Sequence, residues 1–505
     1  MGKEWATKLH LDLPQSKRNA QSAHKVTSLL KWNPRKFFGH GLVQNIVALY
    51  GVQACTYALP LLTFPYLAHV LGPSGWGSVV FAQAIGSVIA IFVEYGFDIS
   101  ASRETSRHRD EPQRLAELIS GVLGAKTMLA ALCVCGALFS RRFTHHFAPS
   151  EALFWASTSW GVCQGINMLW FFQGLERMRL ASALEIGGKV IATLSIFVLV
   201  RKPEDGWKVM AAQCVGCIVA HGVTVVLAYR EVGYAWPTPE SVYEALRLGW
   251  SMFVFRAAQG ITGSVNGLVL GSVASMAVLG EYAGAERITR VFQQGLWPIN
   301  QALYPRLTHQ MGENPKQAMK TVRSSLFLLG GLGLVLGLIL FLATPLLVHL
   351  VLGTAFQNSV PALRVFSLWI PLVALTTVLT FQLLLPNQLD GQFNFVVITA
   401  ALVSVGGALL LAPRFQAAGI AWSAVAAQGY TLIAFTFVLV RAKLNPFSVS
   451  PDEPASSASN LVAFPVAAFK RVAPRGRDFQ LPAKPVHKSK RLSAVNKLTQ
   501  QPAVD

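Results

Sequence analysis

Of 505 residues, 52% are hydrophobic and only 13% are charged. Soluble domains carry about 25% charged residues, so a soluble enzyme or a soluble binding module is excluded. The formal net charge of +19 would suit nucleic acid, but the basic residues cluster in tails and short loops between apolar runs. That distribution marks the cytoplasmic side of a membrane protein and excludes a nucleic-acid partner.

In chain order, residues 1–40 form a polar, basic extension with no apolar run resembling a cleavable signal, so the first span is expected to act as its own insertion signal. Apolar stretches of about 20 residues then recur, the length that crosses a hydrocarbon core of about 30 Å. They predict spans at 42–70, 77–97, 115–139, 152–172, 180–200, 209–229, 249–273, 278–301, 325–350, 361–385, 392–412 and 418–440. Connections are too short to fold as a separate catalytic domain. Arg103, Arg107, Arg109, Arg114, Arg230, Arg247, Arg306, Lys316 and Lys320 fall on one side together with both tails, which makes that side cytoplasmic. The short alternating segments of a β-barrel are missing.

The expected fold class is an all-α integral membrane protein of about twelve transmembrane helices, in two six-helix lobes with cytoplasmic N and C termini. Its parts are the basic extension 1–40, an N-lobe 41–230 (spans one to six), a cytoplasmic linker 231–248, a C-lobe 249–441 (spans seven to twelve) and a tail 442–505. The tail is rich in Pro, Ser and Ala, with basic clusters such as Lys470-Arg471 and Lys488-x-Lys490-Arg491. That composition cannot bury a core and predicts disorder. Anionic lipids are an expected partner of both basic tails, at about 1 kcal/mol per basic residue near the surface; a solvated tail without a partner fits equally well.

A weak internal repeat supports the two-lobe expectation. Leu71-Gly72 is followed by Gly77, Ala82 and Ile85, and Leu270-Gly271 by Gly280, Ala285 and Ile288 at matching offsets after the glycine. Six spans per half would relate the halves by an axis along the membrane normal.

Five cations lie inside the predicted spans: Lys126, Lys189, Arg256, Arg287 and Arg290. A cation in hydrocarbon costs at least about 2.5–3.5 kcal/mol, so it faces a partner or a water-filled cavity. Together they point to a hydrated lumen that takes an anion, and so to transport. Glu185 stands four residues before Lys189, which permits an ion pair on one helix face. A structural salt bridge is as good a reading of that pair as a substrate cation. Glu286 beside Arg287 and Arg290 leaves one positive charge in excess. Arg256 has no acid nearby in sequence, and its planar fork suits phosphate oxygens; the competing reading is that it snorkels to the cytoplasmic interface. Glu94 and Asp98 close span two before the basic loop Arg103–Arg114. They suit ion or proton coupling, or a gate salt bridge.

Other polar groups are less specific. His221 in span six could titrate near neutrality or be simply hydrogen-bonded. Gln259, Asn266, Gln293 and Asn300 could touch a glycan but cannot be ranked. Cys214-x-x-Cys217 has a metal or redox spacing, but its apolar helix lacks ligand partners and small packing residues are the better reading. No metal and no cofactor is expected. His145-His146 in an outer loop reads as a surface feature. Pro60, Pro65, Pro298, Pro345 and Pro371 could kink helices. Spans nine to twelve are almost charge-free, so the polar cavity is expected on the earlier spans of each half.

The motifs resemble a family. They include Asn45, Pro65-Tyr66-Leu67, Leu71-Gly72-Pro73-x-Gly75-Trp76-Gly77, Tyr95-Gly96-Phe97 and Trp170-Phe171-Phe172-Gln173-Gly174-Leu175-Glu176. The second half adds Asn266-x-x-Val269-Leu270-Gly271, Gly280-Glu281-Tyr282-x-x-Ala285-Glu286-Arg287-Ile288 and Leu303-Tyr304-Pro305-Arg306-Leu307. Over residues 41–441 the chain resembles the polysaccharide flippase branch of the multidrug/oligosaccharidyl-lipid/polysaccharide exporter superfamily. The resemblance implies a two-lobed bacterial cytoplasmic-membrane protein and no enzyme. It would move undecaprenyl-diphosphate-linked oligosaccharide for O-antigen, capsule or exopolysaccharide by alternating access through a cationic lumen. An H+ or Na+ gradient and contact with a polysaccharide polymerase belong to the same expectation. The alternatives are a drug/cation antiporter of the same superfamily, which would favour acidic lumen residues, and a membrane glycan polymerase or ligase, which would need larger outer loops.

Overall fold

The computed structural model describes residues 40–143, 150–294, 315–387, 389–442 and 444. The basic extension, the tail beyond Leu444, the His145-His146 pair, Pro298, Asn300 and the Leu303–Leu307 motif with Arg306 lie outside the described residues. So do the side chains of Asn45, Gln259, Asn266 and Lys316. Among the described residues every regular element is helical.

The first helix, α1 (His40–Glu94), holds two of the predicted spans. At 55 residues a straight helix would run about 80 Å, far more than a bilayer core. It breaks at Gly72, whose φ of 65° a residue without Cβ adopts freely, and Pro73 follows without an N–H to continue the ladder. The last helix, α12 (Asp390–Arg441), is 52 residues long and breaks in the same way at Gln416, just after Pro413.

Between them run α2 (Phe97–Arg107), α3 (Pro112–Phe143), α4 (Glu151–Gly165), α5 (Leu169–Gly174), α6 (Met178–Leu199), α7 (Gly206–Val232), α8 (Pro239–Val273), α9 (Met276–Gln294), α10 (Pro315–Leu347) and α11 (Ser359–Leu379). Within the described residues helix coincides with the predicted spans, with one exception. Seven segments meet a strict length and hydropathy requirement for crossing a membrane, two of them the kinked helices. α9 escapes it because Glu281, Glu286, Arg287 and Arg290 crowd its 19 residues.

One span differs from expectation. Residues 152–172 were predicted as a continuous helix, but the chain turns between α4 and α5. Asn167 causes the turn: its Oδ1 accepts a hydrogen bond from the Leu169 amide at 2.6 Å, the local competition that Asn offers to a helix ladder.

α6 packs on α7, α4 on both α1 and α7, and α1 on α6 and α9; α10, α11 and α12 pack in series. The outer face of α10 carries Leu334, Leu338, Leu342 and Leu346, all exposed at four-residue spacing, a stripe suited to lipid. α8 starts in a defined way: Pro239 follows the N-cap Thr238, whose hydroxyl accepts from the Ser241 amide at 3.2 Å. Its first turns lie against α2 and α3, and its last turns against α1 and α12. Gly77 of α1 and Gly280 of α9 touch: a Cβ on Gly77 would overlap the Met276 carbonyl, and one on Gly280 the Pro73 carbonyl. These are the matched glycines of the sequence repeat.

Candidate functional site

Two adjoining cavities of about 280 and 380 Å³ lie within this bundle. Close backbone approach builds their walls. Gly188 of α6 sits on Gly216 of α7, where an added Cβ would come within 2.5 Å of the Gly216 carbonyl oxygen. That contact sets Glu185, Lys189 and Thr193 opposite Gln213, Cys217 and His221, each set at four-residue spacing along one helix face. Gly86 of α1 and Gly161 of α4 meet in the same manner and bring Trp160 and Gln164 to the wall. The first cavity lies among α1, α4, α6 and α7; one residue of α9, Arg287, reaches it. The second lies between α1 and α9. Trp76 and Arg287 line both. No described lining residue comes from α10, α11 or α12, in line with their near absence of charge.

Five of the nine candidate residues meet at these cavities. Lys189 Nζ lies 2.9 Å from Glu185 Oε1 and donates to Thr56 Oγ1 at 2.7 Å. Arg290 pairs with Glu286 at 2.8 Å. Arg287 has no ion pair among the described residues; its guanidinium lies beside the Phe64–Trp76 ring pair, 5.4 Å from each centroid. Such aromatic faces hold a cation without cancelling its charge, at about 0.5–2 kcal/mol. The net positive charge of the two cavities therefore rests on Arg287.

The other four line neither cavity and lie near the α2–α8 contact, with Glu94 in electrostatic reach of Glu185 and Lys126 of His221 on the first cavity's wall. Arg256 pairs with Asp98 across 158 residues of sequence and lines neither cavity. The expectation of an unpaired lumen guanidinium meets a partner that sequence distance had concealed. Lys126 is 1% exposed; its Nζ donates to the Asn167 carbonyl at 2.8 Å and lies 6.0 Å from the Phe97 ring centroid. It thus satisfies the backbone exposed by the turn between α4 and α5, and is not on a cavity wall. Glu94 is in electrostatic reach of Lys126, Asp98 and Arg256. Next to them Tyr95 stacks on Phe253 with centroids 4.6 Å apart, and Gly96 lies against Met252.

Sequence reasoning missed Trp76, Trp160, Gln83, Gln164, Gln213 and Thr193 on the walls. The available signal was an amide in an otherwise apolar helix, at helical spacing from the cations. His221 does line the first cavity, with Nδ1 2.8 Å from the Cys163 carbonyl. Cys217 lines it too and donates its thiol hydrogen to Gln164 Oε1 at 3.0 Å, while Cys214 is buried.

The polysaccharide biosynthesis protein family matches residues 42–311, a range that contains every described cavity-lining residue. The chain belongs to this family. Its similarity extends to the "Putative O-antigen transporter" of Escherichia coli (strain K12), 27% identical over 72% of this chain and 88% of that protein. The protein of the same description from Shigella dysenteriae is 24% identical over 71% and 90%. Among solved structures the fold is similar to the lipid II flippase MurJ in an inward closed conformation, with a TM-score of 0.60 at 11% identity over 79% of this chain and 87% of that one. An inward-facing multidrug resistance MATE family transporter of the MOP superfamily gives 0.58 at 15% identity over 80% and 100%. These two likenesses carry the fold. The chain is a multi-pass membrane protein of the polysaccharide biosynthesis protein family, with a fold similar to those two transporters.

Proposed function

We propose that this protein moves undecaprenyl-diphosphate-linked oligosaccharide repeat units across the bacterial cytoplasmic membrane, for O-antigen, capsule or exopolysaccharide synthesis. The observation that carries the proposal is Arg287: a cation with no ion pair among the described residues, set against two aromatic rings, on the wall shared by both cavities. A diphosphate cannot enter hydrocarbon alone, and each unsatisfied polar group there costs kilocalories. A planar guanidinium in a hydrated cavity replaces its water and releases it on the far side. The net cationic wall disfavours a drug cation as cargo.

Alternating access would use two contacts, Gly77 against Gly280, and Asp98 with Tyr95 against Arg256 with Phe253. In this reading residues 41–230 and 249–441 are the two rocking lobes, and 231–248 the cytoplasmic linker. Arg287, with Lys189 and Arg290 beside it, binds substrate. Glu94, Asp98 and Arg256 serve gating or coupling to H+ or Na+, Lys126 holds the turn between α4 and α5, and Glu185 and Glu286 set the charge of their cationic partners. The basic tails rest on anionic lipid, and a polymerase takes the product. The protein itself catalyses no covalent step.

Mass spectrometry of polyprenyl-diphosphate-linked glycans in cells lacking the protein tests this. The expected result is one repeat unit accumulating on the inner face, relieved by wild type and not by Arg287→Ala. Accumulation of single units on the outer face would assign the protein to polymerisation or ligation instead.

A further inference from the structure

The charges of the two cavities cancel in pairs except at their junction. Glu185 neutralises Lys189 in the first, and Glu286 neutralises Arg290 in the second. Arg287 faces both. An anionic group therefore belongs at the junction, and the first cavity is left for uncharged polar matter.

Its wall is built for that. The side chains of Gln83, Gln213 and Thr193 line it and have no hydrogen-bond partner among the described residues. Gln164 has only its oxygen engaged, by Cys217. A primary amide offers both donors and acceptors, and a threonine hydroxyl does the same, which is the complement of vicinal hydroxyl groups. Uncommitted amides in membrane helices are costly, and polar residues there mark substrate paths. Beside them Trp160 supplies a flat apolar face. Its ring is fixed against Gly86, where an added Cβ would meet Trp160 Cε3 at 2.7 Å. The volume of about 280 Å³ is at the lower end of small-ligand pockets, about 300–1,000 Å³. It takes one or two sugar rings and not a whole repeat unit.

We propose that the cavity among α1, α4, α6 and α7 is a sugar-reading subsite in which Gln83, Gln213 and Thr193 determine glycan specificity, with the diphosphate held at its mouth by Arg287. This rests on the flippase reading above. A group that loses its hydrogen-bond partner in an enclosed site discriminates strongly, because the partner left behind is unsatisfied.

The test is binding of defined lipids to the purified full-length protein by native mass spectrometry. The probes are bare undecaprenyl diphosphate and the same lipid bearing N-acetylglucosamine, galactose or glucose. Wild type is expected to bind one glycosylated probe about tenfold more tightly than the bare lipid, as one or two net hydrogen bonds provide. Gln213→Leu and Thr193→Val are each expected to erase most of that preference and leave bare-lipid affinity within about twofold. Retained bare-lipid binding also reports that the variants are folded. Arg287→Gln is expected to weaken all four probes together. The subsite assignment is overturned if wild type does not distinguish glycosylated from bare lipid, if both wall variants keep the preference, or if they weaken bare and glycosylated lipid equally. Absence of any diphosphate-dependent binding by wild type, judged against undecaprenol, would contradict the flippase reading itself and the subsite with it.

Discussion

Arg287 and Lys126 show two ways to hold a cation inside a helical bundle. Arg287 is held by ring faces and stays electrostatically available. Replacement by Lys keeps the charge but loses the planar fork and the stacking surface. Transport by Arg287→Lys is therefore expected well below wild type and above Arg287→Ala, as read by the rate at which lipid-linked glycan reaches the outer leaflet. Lys126 is committed to a backbone carbonyl. Its removal leaves that carbonyl unpaired, and a buried group left without its partner costs about 1–3 kcal/mol. Lys126→Ala is expected to lower the midpoint of thermal unfolding in detergent by more than Lys189→Ala does, because Lys189 borders a hydrated cavity. Equal midpoints would contradict the assignment of Lys126 to structure. The sequence made all five cations visible, since charge in an apolar run needs no structure to be noticed. Their partners were visible only where they lay one helical turn away, as for Glu185 with Lys189 and Glu286 with Arg290. Asp98 is 158 residues from Arg256, and nothing local connects them.

Glycine-to-glycine contacts carry the element scale. α6 and α7 approach at Gly188 and Gly216, and the whole polar wall of the first cavity depends on that register. A Leu at either position overpacks the contact by about 1–3 kcal/mol and pushes Glu185 and Lys189 away from Gln213 and His221. Gly216→Leu is expected to reduce transport severely with a smaller loss of thermal stability; unchanged transport would remove the wall from the account. Apolar length predicted the long helices because membrane helices must satisfy their backbone internally, but not the short polar α2 (Phe97–Arg107). It did not predict the turn at Asn167, where one side chain outcompetes the helix ladder. The weak repeat was the more informative signal. It singled out Gly77 and Gly280, and the two helices do meet at these glycines.

At the scale of the molecule, the proposed alternating access would break two contacts in turn, Gly77 with Gly280 and Asp98 with Arg256. The ion pair of Asp98 with Arg256 is exposed enough that its intrinsic worth is small, on the order of 0–1 kcal/mol, which suits a gate that must open. Asp98→Arg and Arg256→Asp are each expected to impair transport, and the two together to restore most of it. Independent effects in the double variant, measured by the same leaflet assay, would show that the pair does not act as a gate. The central claim is that Arg287 conducts a lipid-linked diphosphate through this bundle. Its most direct test is reconstitution of the full chain in vesicles carrying an undecaprenyl-diphosphate-linked glycan on one leaflet, with an impermeant sugar-oxidising reagent outside. Wild type should expose the inner pool to the reagent, and Arg287→Ala should leave it protected at equal protein incorporation. Equal exposure by both, or protection in both, would contradict the account.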